Sequence, residues 1–108
     1  MASDRSFVEY VASQAGLGSA LTHRKMFGEY ALYLNGVVIA FVCDNELYLK
    51  PTSDGRALLA SVSEHPPYPK ARPHFRIDAE LDDPELLRRL FHATARALAS
   101  RLPARMRS

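Results

Sequence analysis

The side chains able to hold a metal ion or act as nucleophiles are few and scattered. His23, His65, His74, His92 and Cys43 show none of the close spacing that a zinc site requires. No glycine-rich loop is present to cradle a phosphate, and no Gly-x-Ser-x-Gly turn to expose a nucleophile, so neither phosphoryl nor acyl transfer has a motif here. The cations are the richer set. Arg24 and Lys25 precede a hairpin pattern, Lys50 closes a strand pattern, Lys70 and Arg72 lie in a proline-rich segment, and Arg88, Arg89 and Arg96 run along the last helical pattern. If the strand end and the loop meet, Lys50, Arg72 and His74 form an anion-binding patch beside Tyr48, combining charge with an aromatic face as nucleic-acid binders do. On the helix, Glu85 is spaced to pair with Arg88 and Arg89 on a solvated face. His92 lies on the same polar side, where a solvated histidine is the ordinary reading. Tyr30, Tyr33 and Tyr48 line a groove or, more commonly for strand aromatics, pack across strands.

The elements that must position these residues are legible from periodicity and turn chemistry. Ser3 or Ser6 caps a first helix in which Phe7, Val8, Val11, Ala12 and Ala15 share one side, and Gly16 ends it. Thr22 to Phe27 reads as a strand, with the charges of Arg24 and Lys25 marking it as an edge that another chain could pair with. Gly28 permits a bend into Tyr30 to Leu34, where Tyr30, Leu32 and Leu34 face one way and Ala31 and Tyr33 the other. Asn35-Gly36 specifies a two-residue type I′ turn, because both residues tolerate positive φ, so Val37 to Cys43 returns antiparallel. That run does not alternate, which predicts a central strand covered in part on both faces. Asp44-Asn45 makes a second tight turn into Glu46 to Lys50, and Pro51 ends that strand.

Ser53 or Asp54 caps a short helix through Leu59, which needs docking on the sheet to persist. Residues 63–73 carry Pro66, Pro67, Pro69 and Pro73 and predict an extended irregular loop. His74 to Asp78 forms a last strand with Phe75 and Ile77 on one face. Asp82 or Asp83 before Pro84 starts the longest helix, whose buried stripe is Leu86, Leu87, Leu90, Phe91, Thr94 and Leu98. It ends near Arg101, and residues 102–108 form a basic tail. The expected architecture is therefore α+β: a small antiparallel sheet of four to five strands flanked by an N-terminal, a short middle and a longer C-terminal helix, all in one domain of 108 residues.

Composition sets the outer bounds. With 47% hydrophobic and 24% charged residues, the chain belongs with soluble globular proteins rather than disordered ones. A net charge of +2 neither demands nor excludes a nucleic-acid partner, since clustering on a face decides that. No apolar run approaches the roughly 20 residues of a membrane span, and nothing reads as a signal peptide, so a cytoplasmic protein is expected. Cys43 is the single cysteine, which precludes an internal disulfide; its apolar strand context reads as a small buried hydrophobe.

The stretch Met26-Phe27-Gly28-Glu29-Tyr30-Ala31-Leu32-Tyr33-Leu34-Asn35-Gly36, followed by Glu46-Leu47-Tyr48-Leu49-Lys50 and then Asp83-Pro84-Glu85-Leu86-Leu87, resembles the N-terminal domain of the TfoX (Sxy) competence-regulator family. The resemblance covers nearly the whole chain. It implies a small α/β domain in a bacterial regulator of DNA uptake and transcription, non-enzymatic and without a cofactor, acting through a protein partner such as the cyclic-AMP receptor protein. It implies no catalytic residues. Glu29 and Ala31 stand where the family commonly has glycine. Full-length regulators also carry a second, C-terminal helical domain resembling a helix-hairpin-helix module, whereas this sequence stops after its last helix, so a role outside competence is an equal expectation. A nucleic-acid-binding module using the basic residues is the alternative, and a small enzyme or ligand carrier a third. Either a monomer or a homodimer fits.

Overall fold

The computed structural model of the chain describes residues 3–101. In order they form α1 (Arg5–Ala15), β1 (Leu21–Met26), β2 (Glu29–Leu34), β3 (Val37–Cys43), β4 (Glu46–Leu49), α2 (Ser53–Leu58), β5 (Glu64–His65), β6 (His74–Ile77) and α3 (Pro84–Ala99), with short 3₁₀ turns at Gly18–Ala20 and Ala79–Asp82. The sheet is antiparallel throughout, in the order β1-β2-β3-β4-β6-β5. It has six strands rather than four to five, because Glu64 and His65, in the proline-rich segment, pair with Phe75 and His74. Pro66 and Pro67 lack the donors to extend that pairing, which limits β5 to two residues.

One face of the sheet holds the core. Leu32, Leu34, Val42, Leu47, Leu49, Phe75 and Ile77 pack there against Val8, Val11 and Ala15 of α1 and Leu87, Leu90 and Phe91 of α3. Of the expected α3 stripe, Leu86 and Leu98 are only half-buried, while Ala93 joins the buried set. β1 is the expected edge and is exposed at every position after Leu21. β3 is central and buried at Ile39, Ala40, Val42 and Cys43. Consecutive Ile39 and Ala40 can both be buried because the β2–β3 register shifts: Leu32 faces Ala40 but Tyr33 faces Val38. Such a bulge leaves one residue out of the ladder. On its other edge β3 stays regular, and the Ile39 carbonyl accepts the Lys50 amide at 2.8 Å, continuing the β3–β4 ladder past Leu49.

Three tight turns of one kind build the meander. Asn35-Gly36 has φ of 50° and 84°, and Asp44-Asn45 has 54° and 56°. Phe27-Gly28, with 52° and 82°, joins Met26 to its cross-strand partner Glu29 in the same way. Phe27 is thus the first central residue of a two-residue hairpin, a position usually given to Asn, Asp or Gly, and not the last residue of β1.

The caps differ from expectation in detail. Asp4 is the N-cap residue of α1, and neither Ser3 nor Ser6 serves it. Ser3 is buried and its hydroxyl donates to Glu29 while accepting the Asn45 amide at 3.0 Å; its own amide donates to the Gly28 carbonyl at 3.0 Å. Glu29 also accepts the Asp44 amide at 3.1 Å, so this carboxylate ties two hairpin turns to the start of α1. Thr52 caps α2 by accepting the Gly55 amide at 2.9 Å, displacing Ser53 and Asp54 from that role. Asp83 caps α3 at Leu86, as Pro84 at the first helical position implies. Residues 102–108, the expected basic tail, lie outside the described residues.

Candidate functional site

Among the described residues the sheet's second face carries no helix. Strand alternation puts Met26, Ala31, Phe41, Cys43, Tyr48, His74 and Arg76 there, opposite the core set. The segment after β5 folds over part of it, with Pro67 buried and Tyr68 exposed at its surface. Two cavities result, and Phe41 and Tyr68 line both.

The first cavity, about 450 Å³, lies where β4 ends, the proline loop returns and α3 finishes. Lys50, Arg72, His74 and Arg101 line it together with Phe41 and Tyr68, and among the described residues no carboxylate does. Lys50, Arg72 and Arg101 form no ion pair among the described residues, whose bridges are Arg5 with Glu9, Arg56 with Glu64 and Arg76 with Glu46. His74 is 9% exposed and its ring lies 5.7 Å from that of Phe41. Its Nδ1–H donates to the Arg72 carbonyl at 2.8 Å; a carbonyl only accepts, so Nδ1 carries a proton. Nε2 is buried and has no hydrogen-bond partner among the described residues.

The second cavity, about 430 Å³, is apolar. Met26 and Phe27 at the first hairpin border it with Tyr30, Phe41, Cys43, Pro67 and Tyr68. Phe27 is fully exposed and Tyr68 and Met26 are each about half so, which leaves three large apolar side chains at one rim.

The residues singled out from sequence thus divide. Lys50, Arg72 and His74 share the first cavity. Tyr48 is absent from it: its hydroxyl donates to Glu46 at 2.9 Å, beside the Arg76–Glu46 pair of 2.7 Å. Phe41 and Tyr68 supply the aromatic faces instead. Lys70 is exposed in the loop at φ of 70° and lines neither cavity. Arg24 and Lys25 are exposed on the edge strand and point to opposite faces, as neighbouring strand residues must. Arg88 does not pair with Glu85; its guanidinium donates to the Ala15 carbonyl at 3.3 Å, joining α3 to the end of α1. Arg89, Arg96 and His92 line a shallow groove between α2 and α3 that also holds Asp54. Of the tyrosines, Tyr30 is buried with its ring edge 5.6 Å from His23, as cross-strand packing predicts.

Sequence reasoning missed Phe27, Phe41, Tyr68 and Arg101. A signal existed for the first: Phe27-Gly28 separates two strand patterns by two residues, as Asn35-Gly36 does. Phe41 was legible as the odd member of its strand, opposite in facing to Ala40 and Val42. Tyr68 and Arg101 are brought in by the path of the loop and the length of α3, which no local pattern encodes.

Acid–base properties argue against nucleophilic chemistry at this face. Burial, then the charges of Glu29 and Asp44, push the Cys43 thiol up to about 11. Burial, the hydrogen bond to Glu46 and its charge push the Tyr48 phenol to about 12, with Arg76 opposing weakly. Both groups are held neutral, the reverse of an activated nucleophile. Among the described residues no set of three His, Cys, Asp or Glu side chains is grouped to hold a metal ion, and no helix is long and apolar enough to cross a membrane.

The fold and this face define a small α+β domain with one packed and one partly open sheet surface. The chain belongs to the TfoX N-terminal domain family, whose sequence profile matches residues 13–98. It is also 35% identical over 108 residues, covering all of this chain and 94% of the other, to a protein of Spirochaeta aurantia described as "Uncharacterized 12.7 kDa protein in trpE 5′ region".

Proposed function

We propose that the protein is a non-enzymatic regulatory domain that acts by docking a protein partner on the open face of the sheet, at the corner formed by Phe27. One observation carries this reading: a fully exposed phenylalanine held at φ of 52° beside an apolar cavity. Left-handed backbone is unfavourable for an L-residue by about 1–2 kcal/mol, and an exposed aromatic ring recovers nothing from burial. A bulky side chain in such a conformation is a reason to look for a role in binding. Met26 and Tyr68 extend the apolar rim, the composition found at the centre of protein interfaces. Membership of the TfoX N-terminal domain family supports a regulatory role, and the cyclic-AMP receptor protein is the partner to test first.

The neutral, buried Cys43 and Tyr48 support the non-catalytic reading. The alternative, a surface that tracks nucleic acid, draws less support because, apart from Lys50, Arg72 and Arg101 at one cavity, the cations are dispersed: Arg24 and Lys25 on opposite faces of β1, Arg88 engaged with Ala15, Arg89 and Arg96 between helices. The test is affinity capture with the wild-type chain and with Phe27→Gly, using purified cyclic-AMP receptor protein and then cell extract. A protein retained by the wild type and lost by the variant is the expected result. Equal retention by both, or none by either, overturns the reading.

A further inference from the structure

The geometry points to the cavity at the end of β4 as a binding site for a phosphate monoester carried on a flat ring, the chemistry of a nucleoside monophosphate. The cavity shares Phe41 and Tyr68 with the one beside Phe27, while its cations line it alone. Three cations from three separate elements converge on it: Lys50 after β4, Arg72 in the proline loop and Arg101 after α3. Among the described residues the lining has no carboxylate and the three cations no ion pair, so their charges are uncompensated by them within the site. Like charges drawn into one concave site repel one another and are stabilised by a bound anion. Phe41 and Tyr68 add ring faces on which a base can stack. A volume of about 450 Å³ falls in the size class of small-ligand sites, roughly 300–1,000 Å³.

His74 forms part of the wall. Its Nδ1 proton is committed to the Arg72 carbonyl, and its Nε2 is buried out of reach of solvent, so the ring fixes the backbone of Arg72 at the cavity and the cations are left to meet the ligand. A phosphate monoester dianion matches three cations better than a single negative charge does, and its three oxygens accept from several donors at once.

The free nucleotide and the 5′-phosphorylated end of a nucleic-acid strand share this chemistry, and titrations followed by ¹⁵N NMR of the whole chain separate them. A nucleoside 5′-monophosphate is expected to shift the amides of Lys50, Ala71, Arg72 and His74. The nucleoside without phosphate, and inorganic phosphate alone, bind at least roughly tenfold more weakly, since each retains half of the contacts. Lys50→Gln and Arg72→Gln, at half-buried and exposed positions, keep the fold and weaken binding by roughly tenfold each. A 5′-phosphorylated oligonucleotide binding more tightly than the monophosphate assigns the site to strand ends; weaker binding assigns it to the free nucleotide. No saturable shift at millimolar monophosphate overturns the proposal, as does equal affinity for phosphorylated and unphosphorylated ligands.

Discussion

Replacing Phe27 by glycine separates the stability of the domain from its proposed binding role, and the two should move in opposite directions. Phe27 occupies left-handed backbone at φ of 52°, which is unfavourable by about 1–2 kcal/mol for a side chain with a Cβ. Its relative exposure is 104%, so truncation removes no packing from the folded chain. Glycine relieves the strain but gains freedom in the unfolded chain, which offsets about 0.5–1 kcal/mol. The net expectation is stabilisation by about 0.5–1 kcal/mol, or roughly 2–6 °C in Tm for a domain of this size. Thermal unfolding followed by circular dichroism measures it, provided the transition is two-state. A fall in Tm of several degrees would mean that the ring packs within the monomer, and the argument that it is kept for a partner would fail.

Other substitutions test the packing that holds the open face in place. Gly55→Ala should destabilise by about 1–2 kcal/mol in urea denaturation despite alanine's better helix propensity, because its Cβ would sit 3.0 Å from the Thr52 hydroxyl that caps α2; unchanged or raised stability would contradict this. Thr94→Val should stabilise by about 1 kcal/mol in the same assay, since Thr94 is fully buried and its hydroxyl has no partner among the described residues. Cys43, with a thiol held up to about 11, should react with iodoacetamide at pH ~8 at least a hundredfold more slowly than a free cysteine of pKa ~8.5, because the raised value keeps it neutral. The same shift gives a stability contribution that is full below pH ~8.5 and is lost as pH rises toward about 11, where the folded thiol ionises. Fast alkylation of the native protein near neutral pH would show that Cys43 is not held this way.

Turns and periodicity made most of the fold legible. Asn35-Gly36 and Asp44-Asn45 announce their hairpins because few residues accept positive φ, and the α3 stripe and Asp83-Pro84 start mark the longest helix. Phe27-Gly28 escaped because its first residue is a poor fit for the geometry it adopts, so propensity pointed to a strand. β5 escaped because a two-residue pairing has no period to read. Lys50, Arg72 and His74 could be grouped from sequence, since each stands at a strand end or in the loop between strands. Their association with Arg101, Phe41 and Tyr68 could not, because it depends on the route of residues 66–73 across the sheet and on how far α3 runs. Tyr48 was grouped with them wrongly: cross-strand neighbours of Phe41 need not share its cavity, and Glu46 draws its hydroxyl away.

The claim that Phe27 marks the partner-docking corner is tested most directly by photo-crosslinking from position 27. The chain carries a benzophenone side chain there, in cells that express it, with the same group at Asn35 as control, an exposed residue in a turn of the same geometry. The account predicts one protein adduct from position 27 and none from position 35. The same adducts from both positions, or none from position 27, would contradict it.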